Sequence, residues 1–215
     1  MKFEYSVGNL KIGKDTLIFN MGSASNCPSG KAGQCDLFNS NSCYALKSEK
    51  RYPEVLPYRT RQEEYWLGSD ALTIVEDIQK VLSTNSRRKV ALKYVRVNEA
   101  GDLHSEKCLD KLKDIARALP EIVFYTYTHR QDIIGEGVDL PDNLVLNTSN
   151  FEAKGCNSFS IDLTVKVRSL KKEWKIAREK IRENKGENSL SCIGDCSKCT
   201  LCKVSHGKVI WVPLH

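Results

Sequence analysis

No stretch of this 215-residue chain approaches the roughly 20 consecutive apolar residues that cross a bilayer as a helix, which speaks against a membrane-spanning protein. The opening "MKFEYSVGNLKIGKDT" lacks a continuous apolar core and a small-residue cleavage site, so a secretory leader is not expected and a cytoplasmic location is. The chain contains no glycine-rich phosphate loop, no nucleophile elbow and no HExxH pattern. Those absences exclude the sequence-readable forms of P-loop nucleotide hydrolysis, serine hydrolysis and zincin-type proteolysis. No internal repeat and no low-complexity segment is present either.

Cysteine, by contrast, is abundant: there are nine. In a reducing compartment such a count points to metal ligands or reactive thiols rather than to disulfides, and an odd number cannot form a complete disulfide set. Four of them, Cys192, Cys196, Cys199 and Cys202, crowd into "CIGDCSKCTLC". Three more, Cys27, Cys35 and Cys43, lie near the opposite end. Spacings of two and three residues on turn-forming backbone let neighbouring sulfurs converge on one centre. Zinc takes four thiolates in a tetrahedron. Cys196, Cys199 and Cys202 match the C-x2-C-x2-C run of iron–sulfur proteins, and Cys192, Cys196 and Cys199 match C-x3-C-x2-C. Spacing leaves two arrangements open: one centre drawing ligands from both ends, or a separate centre at each. Cys108, in a helical stretch beside Leu109, is expected to be a buried small hydrophobe. Cys156 follows a glycine in a loop.

The net charge of +6 is concentrated. Residues 166–185 carry nine Lys/Arg and three Asp/Glu, and 9 − 3 = 6 equals the whole surplus. This segment, Lys166–Lys185, is either a nucleic-acid-contacting helix or the solvated face of an amphipathic one, with Leu170, Trp174, Ala177 and Ile181 as its apolar side.

Hydrophobic patterning predicts strands over 16–21, 89–97, 121–128, 143–150 and 159–167, and a closing strand over 208–213. Helices are expected after Cys43 to about Pro53, over 59–82 with Leu72, Val75, Ile78 and Leu82 on one face, and after a Ser105 cap. The glycine- and serine-rich stretch between, which holds Cys27, Cys35 and Cys43, reads as a long loop. The alternation implies an α/β fold with a mainly parallel sheet. A complete (β/α) barrel takes about 250 residues, so a partial barrel of about five or six strands over 1–190 is expected. Residues 191–215 would form a cysteine-rich metal-binding segment packed on it. A doubly wound open sheet is the alternative.

In such folds reactive groups gather at the C-terminal ends of strands. Here those ends carry the cysteine loop, "NEAGD", "THR" and "NTSN", which would face one mouth. Asp102 is the leading site candidate outside the cysteines. His104 could donate a proton or ligate iron, and His129 and Arg130 could bind an anion. Asn147, Thr148 and Ser149 could bond a substrate. Tyr125 and Tyr127 alternate in a strand and include packing residues. His206 could replace a thiolate.

"NCPSG…C…CYA" at 26–45, "VRVNEAGDLHSEKCLDKLKDIARALPEIVFYTYTHR" at 96–130, "NLVLNTSN" at 143–150 and the cysteine knuckle leading into "KVIWVPLH" resemble, in order and spacing, the phage-encoded gene product 88 family. Members of that family resemble radical S-adenosylmethionine enzymes. The resemblance implies a radical-SAM-like partial TIM barrel, an iron–sulfur cluster (4Fe-4S) on cysteines matching Cys27, Cys35, Cys43, Cys192, Cys196, Cys199 and Cys202, and a host-cell cytoplasmic setting. It also places Gly101 and Asp102 of "AGD" where radical enzymes bind the amino group of S-adenosylmethionine, with Asn147 as a further cofactor-binding candidate. Cys27, Cys35 and Cys43 are separated by seven and seven residues, not by the three and two of the usual radical motif. The implied function is radical chemistry on a nucleic-acid-related substrate, with an electron donor as partner. The alternatives are a non-catalytic iron–sulfur redox, sensory or nucleic-acid-binding module, and a zinc-stabilised protein.

Overall fold

The structure, a computed structural model, describes residues 1–8, 11–85, 90–167 and 171–214. A short hairpin opens it, β1 (Ser6–Val7) against β2 (Thr16–Phe19). Five helices follow: α1 (Pro28–Lys31), α2 (Asp36–Asn39), α3 (Tyr44–Arg51), α4 (Val55–Gly68) and α5 (Ala71–Asn85). Then come β3 (Tyr94–Val97), α6 (Glu106–Ala118), β4 (Val123–Thr128), α7 (Gln131–Ile134), β5 (Leu144–Ser149), β6 (Asn157–Lys166) and α8 (Lys171–Lys185). The chain closes with β7 (Leu190–Ser191), two 3-10 turns (Cys196–Lys198 and Leu201–Lys203) and β8 (Val209–Leu214). No helix among the described residues is long and apolar enough to cross a membrane.

All eight strands form one sheet in the order β1-β2-β3-β4-β5-β6-β8-β7. Only β1 is antiparallel to its neighbour; the other pairings are parallel. The sheet is not closed: β1 and β7 are its edges and do not pair with each other. From β2 to β6 strand order follows chain order, so every crossover steps the same way. Right-handed crossovers then put the connecting helices on a single face. Leu17, Phe19, Val95, Val97, Phe124, Leu144 and Leu146 meet Trp66, Ile74, Ile78, Leu112 and Ile115 there in the main core. Each such buried side chain contributes about 1.5–3 kcal/mol.

The opposite face carries a different set. Ile18, Arg96, Tyr125 and Val145 lie in one row across the strands, and Tyr127, Asn147 and Asn157 in the next. Parallel sheets are normally covered on both sides. Here the cover is the cysteine-rich C-terminal segment, whose second 3-10 turn packs on β4 and β5. That segment is more than an appendage on a finished domain. Its last strand, β8, inserts between β6 and β7.

Several sequence expectations change in detail. The helix expected over 59–82 is two helices. Ser69 is extended (φ −99°, ψ 145°), and the Asp70 carboxylate accepts the Thr73 N–H at 2.8 Å to start α5. Residues Arg59, Gln62 and Glu63 of α4 are buried along with Tyr65 and Trp66, so its inner face mixes polar and aromatic side chains and gives no continuous apolar stripe. The cysteine loop contains two one-turn helices. Ser105 occupies the N-cap position of α6 without a side-chain capping bond, and its hydroxyl points to the Cys108 sulfur at 3.7 Å instead. β3 begins only at Tyr94; Lys89 and Leu170 lie outside the described residues.

One glycine fixes the geometry of the strand ends. Gly101 has φ +79°, and a Cβ there would sit 2.8 Å from the Gly22 carbonyl oxygen. The loops after β2 and β3 therefore touch backbone to backbone, which only glycine permits.

Candidate metal centres

The three N-terminal cysteines share one structural role. Cys27, Cys35 and Cys43 each stand at the N-cap position of a helix, α1, α2 and α3 respectively. None of them makes a conventional capping bond. Their thiols are electrostatic neighbours: Cys27 with Cys35, and Cys35 with Cys43, with Asp102 close to both Cys27 and Cys35. Burial pushes the Cys27 thiol up to about 11, and the nearby Asp102 and Cys35 add to this against a bond from Ser29. Burial also raises Cys35, opposed by backbone N–H groups of Phe38 and Leu37 aimed at its sulfur.

A dense polar network holds this cysteine loop to the strand ends. The Asn20 side chain accepts the N–H groups of Glu99 (2.7 Å) and Ala100 (2.9 Å) and donates to Gln62 at 2.7 Å. Asn98 accepts the Met21 N–H at 2.7 Å. Buried Glu49 accepts from Ala24 N–H, Ser25 and the Arg59 guanidinium, which lies 2.9 Å away. Glu63 accepts from Ser23 N–H and the Asn26 amide, and His104 bridges Glu63 (3.5 Å) and the Met21 carbonyl (3.0 Å). Each of these carboxylates accepts bonds from the loop, which offsets the cost of burying charge.

Asp102 belongs to the same framework. It is 2 % exposed, and its two oxygens accept the N–H groups of Leu103 (2.7 Å) and His129 (2.9 Å). It thus ties the end of β3 to the end of β4. Arg130 reinforces the tie by donating to the Leu103 carbonyl and pairing with Asp132 at 2.7 Å. The loops after β2, β3 and β4 do share one mouth, as expected. Among the described residues the buried His129 Nε2 has no hydrogen-bond partner, and burial lowers the imidazole's pKa against the pull of Asp102 and Asp36.

The C-terminal cysteines form a second group. Cys192, Cys196, Cys199 and Cys202 line one cavity of about 20 Å³ together with Tyr125, Tyr127, Lys203 and Ile210. That volume admits about one water-sized occupant. Burial pushes the Cys202 thiol up to about 12; the nearby Tyr127 hydroxyl opposes this, and the other three thiols raise it further. Burial likewise moves Cys192 up to about 11, with Cys196 and Cys199 as neighbours. Among the described residues no three His, Cys, Asp or Glu side chains are grouped closely enough to hold a metal ion. The four thiols line a shared cavity without forming a coordination shell.

The two groups sit apart on the sheet. The N-terminal loop follows the C-terminal end of β2. The C-terminal segment instead lies across the face of the sheet: the Ser197 N–H bonds the Lys11 carbonyl at 2.9 Å, Lys203 Nζ lies 4.1 Å from the Tyr94 ring centroid at the start of β3, and the second 3-10 turn reaches β4 and β5.

Two buried amides latch this segment down. Asn147, fully buried, donates to the Thr126 carbonyl (3.0 Å) and the Cys202 carbonyl (3.1 Å). Asn157 donates to Asn147 (3.2 Å) and to the Val204 carbonyl (2.9 Å). Its oxygen accepts the N–H groups of His206 (2.9 Å) and Gly207 (3.1 Å). Asn147 therefore faces the cysteine knuckle rather than the N-terminal mouth. Thr148 bonds the carbonyls of Phe151 and Asn157, and Ser149 is buried. His206 is not placed to replace a thiolate: Nε2 bonds the Leu201 carbonyl and Nδ1 accepts the Lys208 N–H. Cys108 and Cys156 are buried away from both groups, Cys108 in the main core as expected.

Sequence reasoning missed Asn157, Glu49, Glu63 and Arg96. The visible signal for the last was a charge inside an otherwise apolar strand, "YVRV".

Fold and sites together define a mixed α/β protein with a mostly parallel eight-stranded sheet and two separate thiol groups. The chain belongs to the phage gene product 88 family, whose family model matches residues 5–204 and so spans both groups. No curated protein and no solved structure gives a match.

Asn157→Ala removes four hydrogen bonds from a buried position, so it is expected to cost about 3 kcal/mol in urea denaturation. The same change is expected to speed alkylation of Cys199 and Cys202 relative to Cys108. Unchanged stability and unchanged alkylation would show the latch to be dispensable.

Proposed function

We propose that this protein is an iron–sulfur protein with two thiolate centres of different kinds. The observation that carries the reading is the division of seven cysteines into a set of three and a set of four that lines one cavity. Four protein thiolates complete a tetrahedral or cuboidal centre and leave no open position. Three leave one metal position free for another ligand. The closed C-terminal centre, on Cys192, Cys196, Cys199 and Cys202, then has a structural role, covering the sheet. Its small cavity has room for a single ion once the thiols turn toward it, and a four-iron cluster there requires the segment to move outward. The N-terminal centre, on Cys27, Cys35 and Cys43, is the functional one, and a 4Fe-4S cluster bound there supplies one-electron chemistry.

The in-order parallel strands support a partial (β/α) barrel, with Ser197 and Lys11 linking its first and last portions. That architecture, with "AGD" at the end of β3, is the basis for reading the open position as one for S-adenosylmethionine. Gly101 lets the loop approach. Each Asp102 oxygen accepts one backbone N–H and keeps a further lone pair for an ammonium group.

Anaerobically purified protein is expected to be brown, to absorb near roughly 400 nm and to contain iron and sulfide. Replacing Cys27, Cys35 and Cys43 together by Ser is expected to abolish the S-adenosylmethionine-dependent change in the reduced protein's paramagnetic resonance spectrum. Replacing the C-terminal four is expected to leave that change in place while lowering stability. A colourless protein holding only zinc contradicts the iron–sulfur reading. Absence of 5′-deoxyadenosine from the reduced, S-adenosylmethionine-treated protein contradicts the enzymatic part alone.

We further propose that α8 contacts nucleic acid, a reading its basic surface supports. Trp174, Ala177 and Ile181 of α8 pack inward on Val165 and Val167, while Lys172, Lys175, Lys180, Arg182 and Lys185 are exposed. Changing Lys172, Lys175 and Lys180 to Gln is expected to weaken DNA binding and to flatten its log–log salt dependence by roughly 2–3 units. Binding indifferent to salt and to these changes removes nucleic acid as a partner of this helix.

A further inference from the structure

Arg96 lies in the middle of β3 on the face opposite the helices, in register with Ile18 on one side and Tyr125 on the other. Three tyrosines surround its charge. The guanidinium carbon is 5.3 Å from the Tyr127 ring centroid, and the phenols of Tyr44, Tyr127 and Tyr125 are its strongest electrostatic neighbours. Its Nε donates to the Asn98 carbonyl at 3.2 Å. Among the described residues its two terminal nitrogens make neither a hydrogen bond nor an ion pair. Glu99, the acid in electrostatic reach, stands 4.0 Å from Arg59 instead. The side chain is only partly exposed.

A half-buried cation without a counter-ion leaves its terminal N–H groups open to water or to a ligand. The tyrosines do not neutralise it, because a phenol carries no charge at neutral pH. What the guanidinium fork matches is a planar oxyanion bound by two parallel N–H groups. Its position is also informative. Tyr44 directly follows Cys43, and its hydroxyl donates to the Glu99 carbonyl at 2.6 Å. Tyr127 lines the cavity of the C-terminal cysteines beside Cys202. Arg96 is therefore set between the two cysteine groups, on the aromatic part of the sheet.

We propose that Arg96 anchors a binding site for a small molecule carrying a carboxylate or phosphate group, with Tyr127 and Tyr44 available to flank the ligand's body. The site does not require either metal centre, so it stands or falls separately from the iron–sulfur reading. The sources of the oxyanion differ in size and charge, and two probes separate them: adenosine monophosphate for phosphate esters and benzoate for carboxylates.

Titration calorimetry with each probe tests the site in the wild-type protein, Arg96→Lys and Arg96→Met. At least one probe is expected to bind the wild type. R96M is expected to weaken that binding at least tenfold, and R96K to restore it only in part because the fork is lost. Thermal unfolding without ligand supplies the second readout. If Arg96 waits for a ligand, R96M keeps contact with Tyr127 and melts no lower than wild type. Binding of neither probe, equal binding by R96M, or a marked fall in its melting temperature would each overturn the proposal.

Discussion

A parallel sheet tolerates no open face, and that requirement organises this protein. Strands β2 to β6 run in chain order, so the helices they require all accumulate on one side. The other side exposes Tyr94, Tyr125, Tyr127, Arg96 and two asparagines, a surface with too many polar groups for another helix layer to bury comfortably. The C-terminal segment meets this need with backbone groups and cations rather than with apolar bulk. Asn147 and Asn157 bind its carbonyls and N–H groups, and Lys203 lies over the rings of Tyr94 and Tyr125. Short, turn-rich chain of this kind has little core of its own. Four thiolates around a metal are a common way to stiffen such a segment.

The same division explains why the two cysteine groups differ. At the C-terminal end the cysteines are the cover itself, and the four are close together in sequence. At the N-terminal end each cysteine begins a separate helix, so their approach depends on the network around them. Glu49, Glu63, Asn20 and Asn98 hold the loop from beneath, and Asp102 fastens the neighbouring strand ends beside it. The first set is built on three helix starts, with loops from three strands around it. The second lines a small cavity against Tyr125 and Tyr127.

Much of this was legible in the residue pattern. The buried runs "TLIF", "VFYTYT" and "NLVLNTSN" announce parallel strands, and the cysteine spacings announce two groups. What the pattern hid has physical reasons. Helix α4 turns Arg59, Gln62 and Glu63 inward, so hydrophobic periodicity could not find the break at Ser69. Asn147 looks like a polar strand end in sequence. Only its register with Asn157 reveals a ladder whose donors reach Cys202 and Val204. The insertion of β8 between β6 and β7 depends on long-range pairing that no local signal encodes.

The central claim is that the thiolates serve two spatially distinct centres. Anomalous diffraction from crystals of anaerobically purified protein, recorded at the iron and zinc edges, tests it most directly. Two separate peaks are predicted, one among Cys27, Cys35 and Cys43 and one among Cys192, Cys196, Cys199 and Cys202 against Tyr127. A single peak ligated by cysteines from both groups would contradict the account.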